Sequence, residues 1–183
     1  MMFKPGDPVV HPARGAGIVI CIETRQWHGS TDLYYRIKLL GQQGISLMIP
    51  IHLAETLGLR PAISLSRLNQ VWRVLCADPE TLPADHKQRY ELLEGKLHAG
   101  SVFQVAEAVR DMAWRQRQRG HLTTVGKQMY EKGLALLTGE IAAAQGIDLA
   151  NAETQVKTRL SESLSPGHHN VALMSPGSNA MVT

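Results

Sequence analysis

The chain has 183 residues, of which 44% are hydrophobic and 19% charged, a balance typical of a folded globular protein rather than a disordered or fibrous one. Its 19 Lys and Arg residues against 16 Asp and Glu residues give a formal net charge of +3, which permits an anionic partner without requiring one. No stretch approaches the roughly 18 uninterrupted apolar residues of a membrane-spanning helix, and the N-terminus lacks the apolar core of a secretory signal, so we expect a cytoplasmic protein.

The first sixty residues predict β-structure. Short β-branched or aliphatic runs alternate with turn clusters rich in glycine, a spacing that favours a small, strongly bent antiparallel sheet. Gly15 and Gly17 are expected to adopt the positive φ angles that let such a sheet bend sharply. The predicted strands are residues 9–10, 17–24, 33–40 and 46–50.

From residue 61 onward the apolar residues recur at helical spacing. Five helices are predicted, and they begin at Ser64 or Ser66, near Asp85, after Ser101, at Thr123 or Thr124, and at residue 149. They end near residues 78, 98, 120, 145 and 164. Gly133 and Gly139 lie inside the fourth helix and each cost about 1 kcal/mol relative to Ala, so we expect close helix packing at both.

These patterns predict an α+β protein in which a small bent antiparallel β-domain, residues 1–61, precedes an all-α domain of about five helices, residues 62–164. Residues 165–183 are rich in Pro, Gly, Ser and Asn and are expected to form a flexible tail. Four arginines, Arg110, Arg115, Arg117 and Arg119, surround the single Asp111 near the end of the third helix. They could bind phosphate, although charge alone favours a solvated face that also complements the helix dipole.

Motifs of catalysis are missing from the sequence. It has no phosphate-cradling glycine loop and no histidine pair at metalloprotease spacing, and Cys21 has no recognisable base partner. Cys21 and Cys76 are too few for a disulfide framework or a zinc site, so buried reduced thiols are expected. His168 and His169 could bind a metal, but a solvated pair is favoured because no further ligands are fixed nearby. We therefore expect a binding module with no catalytic residue, metal or cofactor.

Several runs of the chain resemble one family closely. FKPGDPVVHPARGAGIVICIETR (residues 3–25), YYRIKLL, LMIP and GLRP resemble the CarD/CdnL family of bacterial RNA polymerase-binding transcription regulators. RYELLEGKLHAGSVFQVAEAVRDM (residues 89–112) and LLTGEIAAAQGI extend the resemblance in colinear order through the helical half. The first run alone is also similar to the polymerase-binding domain of transcription-repair coupling factors, but those proteins are helicases and this chain has no helicase motif.

The resemblance implies a Tudor-like N-terminal domain that binds the polymerase β subunit through its exposed strands. The implied contact residues are Arg25 and the segment Met48, Ile49 and Pro50. Some relatives have Arg where Met48 stands, so a more apolar contact is expected here. Met48 could instead be a core residue, since alternate strand residues point to opposite sides, and Arg25 could be a solvated charge at the rim.

The resemblance also implies that the helical domain binds promoter DNA without close sequence reading, at the upstream edge of the melted bubble. Relatives place a tryptophan wedge where this chain has His86, and imidazole is smaller and more polar and can take up a proton near neutral pH. We therefore expect a weaker wedge and pH-sensitive binding. Implied phosphate contacts are Lys87, Arg89, Arg115 and Lys127.

Two residues weaken the implied DNA contact. Glu91 stands where some relatives have Lys, and Arg89 could pair with Glu91 or Glu94 on its own helix instead of with phosphate. The prediction is a monomeric, non-enzymatic regulator, associated with the nucleoid through RNA polymerase, that stabilises the promoter open complex. The alternative is an adaptor that holds polymerase with little direct DNA contact.

Overall fold

The computed structural model describes residues 2–27, 30–42 and 44–163, which form an antiparallel sheet followed by a group of helices. This confirms the predicted α+β fold, whereas the predicted tail, residues 165–183, lies outside the described residues. The strands are β1 (Pro8–His11), β2 (Gly15–Trp27), β3 (Ser30–Leu39), β4 (Ser46–Pro50) and β5 (Arg60–Pro61). The helices are α1 (Leu65–Cys76), α2 (His86–His98), α3 (Val102–Arg119), α4 (Thr124–Gln145) and α5 (Leu149–Ser163).

The sheet has the strand order β4-β3-β2-β1-β5, so the short β4 and the two-residue β5 lie at its edges. A bulge between Val19 and Cys21 interrupts the long β2–β3 hairpin and adds to its bend. Gly15 has the predicted positive φ of 85°, but Gly17 is required for a different reason. A Cβ atom at Gly17 would lie 2.6 Å from Cγ2 of Ile37 on the neighbouring strand, so only glycine allows the two strands to approach.

Helix ends follow the predicted signals. The Asp85 carboxylate accepts a hydrogen bond from the Gln88 amide at 2.9 Å and caps α2, and Thr123 caps α4 by accepting from Gly126 at 3.2 Å. Ser64 and Ser101 occupy the N-cap positions of α1 and α3, although neither side chain makes a capping hydrogen bond.

Helix α4 contacts both halves of the protein, and its two internal glycines face different neighbours. A Cβ atom at Gly133 would lie 3.0 Å from side-chain atoms of Leu97 on α2 and Val109 on α3. At Gly139 it would lie 3.6 Å from Cβ of Ala16 on β2. The predicted close helix packing is therefore confirmed at Gly133. At Gly139 it is wrong, because this glycine faces the sheet and a Cβ atom there would make only an ordinary van der Waals contact.

Both cysteines are free thiols, and the expectation that they are buried is wrong. Cys21 is half-buried on β2, and Cys76 is exposed at the end of α1. The buried stripe of α1 ends at Leu75, so the next residue is turned about 100° away from the core. Among the described helices none is long and apolar enough to cross a membrane.

Candidate functional surfaces

Strand register brings three of the four predicted polymerase contacts onto one side of the sheet. Residues directly opposite each other in neighbouring strands share a face, and Arg36 pairs with Met48 while Tyr34 pairs with Pro50. We call this side the outer face. Its members on β2, β3 and β4 are Ile18, Cys21, Glu23, Arg25, Asp32, Tyr34, Arg36, Lys38, Ser46, Met48 and Pro50.

Arg25 and Met48 are both accessible on the outer face. The Arg25 side chain is 58% exposed, and its Nη2 atom lies 2.8 Å from the Glu23 carboxylate on the same strand. Met48 is half-buried and lies outside the clustered core of the β-domain, so the alternative of a core methionine does not hold. This face therefore offers a partner the ion-paired Arg25 and the exposed Arg36 and Lys38, beside the side chains of Met48 and Pro50.

Ile49 lies on the opposite side of β4 from Met48. It is only 2% exposed and packs in the β-domain core with Val19, Tyr35 and Ile37. Strand alternation thus places its side chain away from the outer face, and a side-chain contact with a partner is not open to it.

A second surface lies in the helical half, around a cleft of about 200 Å³ between α2, the end of α3 and the start of α4. We call it the basic cleft. Its floor is apolar, with Leu82, Leu93, Met112 and Leu122 among the lining residues. Three arginines and a histidine also line it, whereas no carboxylate does: the charged and titratable members are Arg89, Tyr90, Arg115, Arg119 and His121.

Arg115 and Arg119 carry the accessible charge of the basic cleft. They lie one helical turn apart on α3, and neither is within ion-pair distance of a carboxylate of the described residues. Desolvation lowers the pKa of Arg115, and the positive charges of Arg89 and Arg119 lower it further. Guanidinium stays protonated regardless, so the cleft concentrates like charges that a bound anion would neutralise.

Arg119 was missed as a candidate because the sequence showed it only as one of several arginines. The sequence feature that could have identified Arg119 is its four-residue spacing from Arg115, which places both arginines on one side of the helix. Arg117, two residues away, instead lines a separate groove with Tyr130 and Lys157.

Arg89 has a structural role that the sequence did not predict. It is 6% exposed, and its Nη1 atom donates to the carbonyl oxygens of Pro83 and Ala84 at 2.8 and 2.9 Å. Its hydrogen bonds therefore go to backbone rather than to Glu91 or Glu94. Arg89 fastens the segment before α2 and contributes charge to the wall of the cleft, but it is not placed as a free phosphate ligand.

Arg110, the first arginine of the predicted basic run, does not contribute to the surface charge. It is buried, its Nε and Nη2 atoms each lie 2.8 Å from the Asp111 carboxylate, and Nη1 donates to the Val74 carbonyl oxygen. Asp111 in turn accepts from the backbone amide of Glu80 at 3.0 Å. The pair therefore ties the linker between α1 and α2 to α3, and the surface charge comes from the last turn and a half of the helix.

Lys96 completes this buried cluster. Its Nζ atom lies 3.2 Å from the Glu80 carboxylate, 3.0 Å from Glu107 and 3.6 Å from Asp111. Burial by itself would lower the pKa of Lys96, but the hydrogen bonds to Glu107 and Glu80 outweigh it and the pKa is raised. The linker that leads into α2 is thus held at both ends by charged groups.

His86 and Lys127 lie next to the basic cleft, because His86 contacts the lining residue Tyr90 and Lys127 follows the lining residue Gly126. His86 opens α2 with 77% of its side chain exposed, and its ring meets that of Tyr90 edge-on with centroids 6.4 Å apart. The Tyr90 hydroxyl is hydrogen-bonded to Thr123, which joins the start of α2 to the start of α4. Lys87 is exposed, and Lys127 is 72% exposed with only a distant contact of 3.9 Å to Glu131.

These placements bring three of the predicted DNA contacts, His86, Arg115 and Lys127, to one part of the helical half. The basic surface, as we call it, comprises these three residues with Arg119 of the cleft and Lys87, the exposed residue that follows His86. The first turn of α4 lines the cleft through Thr123 and Gly126, and its partial positive charge adds to the attraction for anions. At the start of α2 the Asp85 carboxylate, 4.0 Å from Nδ1 of His86, offsets the helix dipole. Within residues 2–27, 30–42 and 44–163, no group of three or more His, Cys, Asp or Glu side chains could hold a metal ion. His168 and His169 lie outside the described residues.

Both halves of the chain match known sequence families. Residues 3–63 match the CarD-like/TRCF RID domain, and residues 70–157 match the CarD C-terminal domain. The chain is also 27% identical over 157 residues to a Bacillus subtilis (strain 168) protein named "Putative transcription factor YdeB", an alignment that covers 86% of this chain and 99% of that protein. The two domain matches, in this order and over most of the chain, place it in the CarD family of transcription regulators.

Proposed function

We propose that this protein binds the RNA polymerase β subunit through its outer face and promoter DNA through its basic surface, and so stabilises the open complex. The observation that carries the DNA contact is the basic cleft, where arginine side chains gather with no carboxylate among the lining residues. The match of residues 3–63 to the CarD-like/TRCF RID domain supports a polymerase contact. The name of the Bacillus subtilis relative supports a role in transcription.

In the proposed complex, the polymerase contact comes first. Arg25, Met48 and Pro50 dock on the β subunit, and the exposed edge of β4 offers backbone groups for strand pairing. Docking then raises the effective concentration of the helical half near promoter DNA, so a weak and non-specific DNA site suffices. A net charge of only +3 fits such tethered binding better than free-standing DNA binding.

The proposed DNA contact uses phosphates rather than base edges. Lys87, Arg115, Arg119 and Lys127 neutralise backbone charge, which positions the protein without reading sequence. His86, an exposed ring beside the cleft, reaches the edge of the duplex where relatives place tryptophan. Because an imidazole buries less apolar surface than an indole, it holds the melted edge less firmly.

Promoter melting by purified polymerase tests this function. A fluorescent base placed in the melted region should report a longer open-complex lifetime when the protein is added. An Arg25→Glu variant, which replaces the positive charge of this residue with a negative one, should lose both polymerase binding and the effect on lifetime. An unchanged lifetime with wild-type protein bound to polymerase would refute DNA-dependent stabilisation.

That last outcome would favour the second candidate, a polymerase-binding adaptor with little direct DNA contact. The exposed Glu91 on α2, one helical turn from Lys87, is the observation that favours it, because it offsets positive charge near the rim. Binding of polymerase with no change in promoter melting would identify the adaptor.

A further inference from the structure

Small side chains form the centre of the interface between the two halves of the protein. Helix α4 lies against β1 and β2, and the buried cluster there consists of Val10, Ala16 and Ala143, with Leu40 and Ala62 at its margin. Larger side chains flank this cluster: Leu40 also packs against the helical core, and a Cβ atom at Gly15 would lie 3.5 Å from Leu136 of α4. Such apolar contacts hold the two halves together, but they are non-directional and do not by themselves specify one orientation.

An ion pair crosses this interface. Arg60 on β5 donates from Nη1 and Nη2 to the two carboxylate oxygens of Glu140 on α4, at 2.6 and 2.8 Å. Its Nε atom donates to the carbonyl oxygen of Gly100, in the turn between α2 and α3, at 2.6 Å. Glu140 is 3% exposed and also accepts from the Ile63 amide at 3.1 Å. The pair thus joins β5, the α2–α3 turn and α4.

The geometry of this pair suits orientation better than stability. A buried ion pair contributes little net stability, because desolvation of both charges offsets their attraction. Two parallel hydrogen bonds between a planar guanidinium and a planar carboxylate, however, hold in one relative orientation only. The third bond of Arg60, to Gly100, removes the remaining freedom of the guanidinium.

We propose that Arg60 and Glu140 are positioning residues that hold the outer face and the basic surface in one fixed relative orientation. This inference rests on the proposed function: two sites on a rigid body engage one polymerase–promoter complex together only if their relative geometry matches it. Neither residue belongs to the outer face or to the basic surface. Their effect is on simultaneous binding and not on either contact alone.

Orientation can be measured directly in the free protein. Its two cysteines, Cys21 on the outer face and Cys76 at the end of α1, lie in different halves and can carry nitroxide labels for distance measurement by electron paramagnetic resonance. Wild type should give one narrow distance distribution. Glu140→Gln, which removes the charge but keeps an acceptor for Ile63, should broaden it or shift it. The control Glu94→Gln removes an exposed carboxylate on α2, away from the interface, and should leave it unchanged.

A second variant, Arg60→Gln, keeps the test valid if Glu140→Gln does not fold, because the Arg60 side chain is less buried than that of Glu140. Circular dichroism confirms that each labelled variant is folded. An unchanged distribution in both variants would overturn the inference, whatever happens in transcription.

The functional arm uses the unlabelled variants with purified polymerase. Affinity for polymerase alone and for promoter DNA alone should stay within about twofold of wild type, while the open-complex lifetime should fall by about tenfold as the benefit of simultaneous binding is lost. A broadened distance distribution with an unchanged lifetime would also overturn the inference. Failure of the proposed function appears separately, as a wild-type protein that does not lengthen the lifetime at all.

Discussion

Removal of one arginine from the basic cleft should change the salt dependence of DNA binding by a calculable amount. The basic surface carries four permanent cations, Lys87, Arg115, Arg119 and Lys127. At about 0.9 released counterions per neutralised phosphate, the slope of log K against log salt should be about −3.6. Arg119→Ala should reduce it to about −2.7. Between 50 and 200 mM salt, wild type should then lose about 150-fold in affinity and the variant about 40-fold.

The measurement is fluorescence anisotropy of a labelled promoter duplex over a series of potassium chloride concentrations. The matched control is Arg117→Ala, which removes the same charge two residues away but from a separate groove shared with Tyr130 and Lys157. Its slope should remain about −3.6. Equal reductions in both variants would show that DNA senses only the net charge of α3. No reduction in Arg119→Ala would remove this residue from the interface.

Three further predictions concern the wedge, the helix packing and the buried cluster. His86→Trp should lengthen the open-complex lifetime measured by promoter-melting fluorescence, since indole buries more apolar surface at the duplex edge; a shorter or equal lifetime would contradict this. In urea unfolding, Gly139→Ala should be neutral or should raise the free energy of unfolding by up to about 1 kcal/mol. Gly133→Ala should lower it by about 1–2 kcal/mol, because the added Cβ atom would lie 3.0 Å from two side chains. The reverse order of the two variants would be inconsistent with the packing. Because the pKa of Lys96 is raised, its stabilising charge is fully present below the ordinary value of 10.5 and is lost as pH rises through the raised value. The difference in urea midpoint between wild type and Lys96→Gln should therefore be largest near neutral pH and shrink in alkali, and a constant difference would argue against the ion pairs.

Local signals predicted the elements of this fold well. The starts and ends of α2, α3 and α4 lie within a residue or two of their predicted limits, because Asp85, Thr123 and Gly120 act on the backbone next to them. Strand β5 was missed, since two residues carry no alternation to detect. Its existence depends on pairing with β1, which only the folded chain supplies.

The candidate sites were harder to predict, because burial does not follow from a residue's position in a motif. The resemblance implied contacts for Ile49 and Arg89, and Arg110 was counted in a basic run, yet each of these side chains is buried. Strand alternation turns Ile49 inward, while backbone carbonyl groups and Asp111 supply the partners that let the two arginines enter the interior. Which of two adjacent strand residues points outward depends on the strand register and on burial in the folded chain.

The sequence by itself determined the fold class, the helix limits and the resemblance to the CarD family, because these depend on local composition, periodicity and colinear motifs. Tertiary structure alone decided which cations remain accessible, how Arg119 joins Arg115 at a cleft, and that Arg60 meets Glu140 across the interface. Those residues are far apart in the chain or differ from their neighbours only in burial. Contacts between Arg60 and Glu140, 80 residues apart, leave no periodic trace in sequence and follow only from how α4 packs on the sheet.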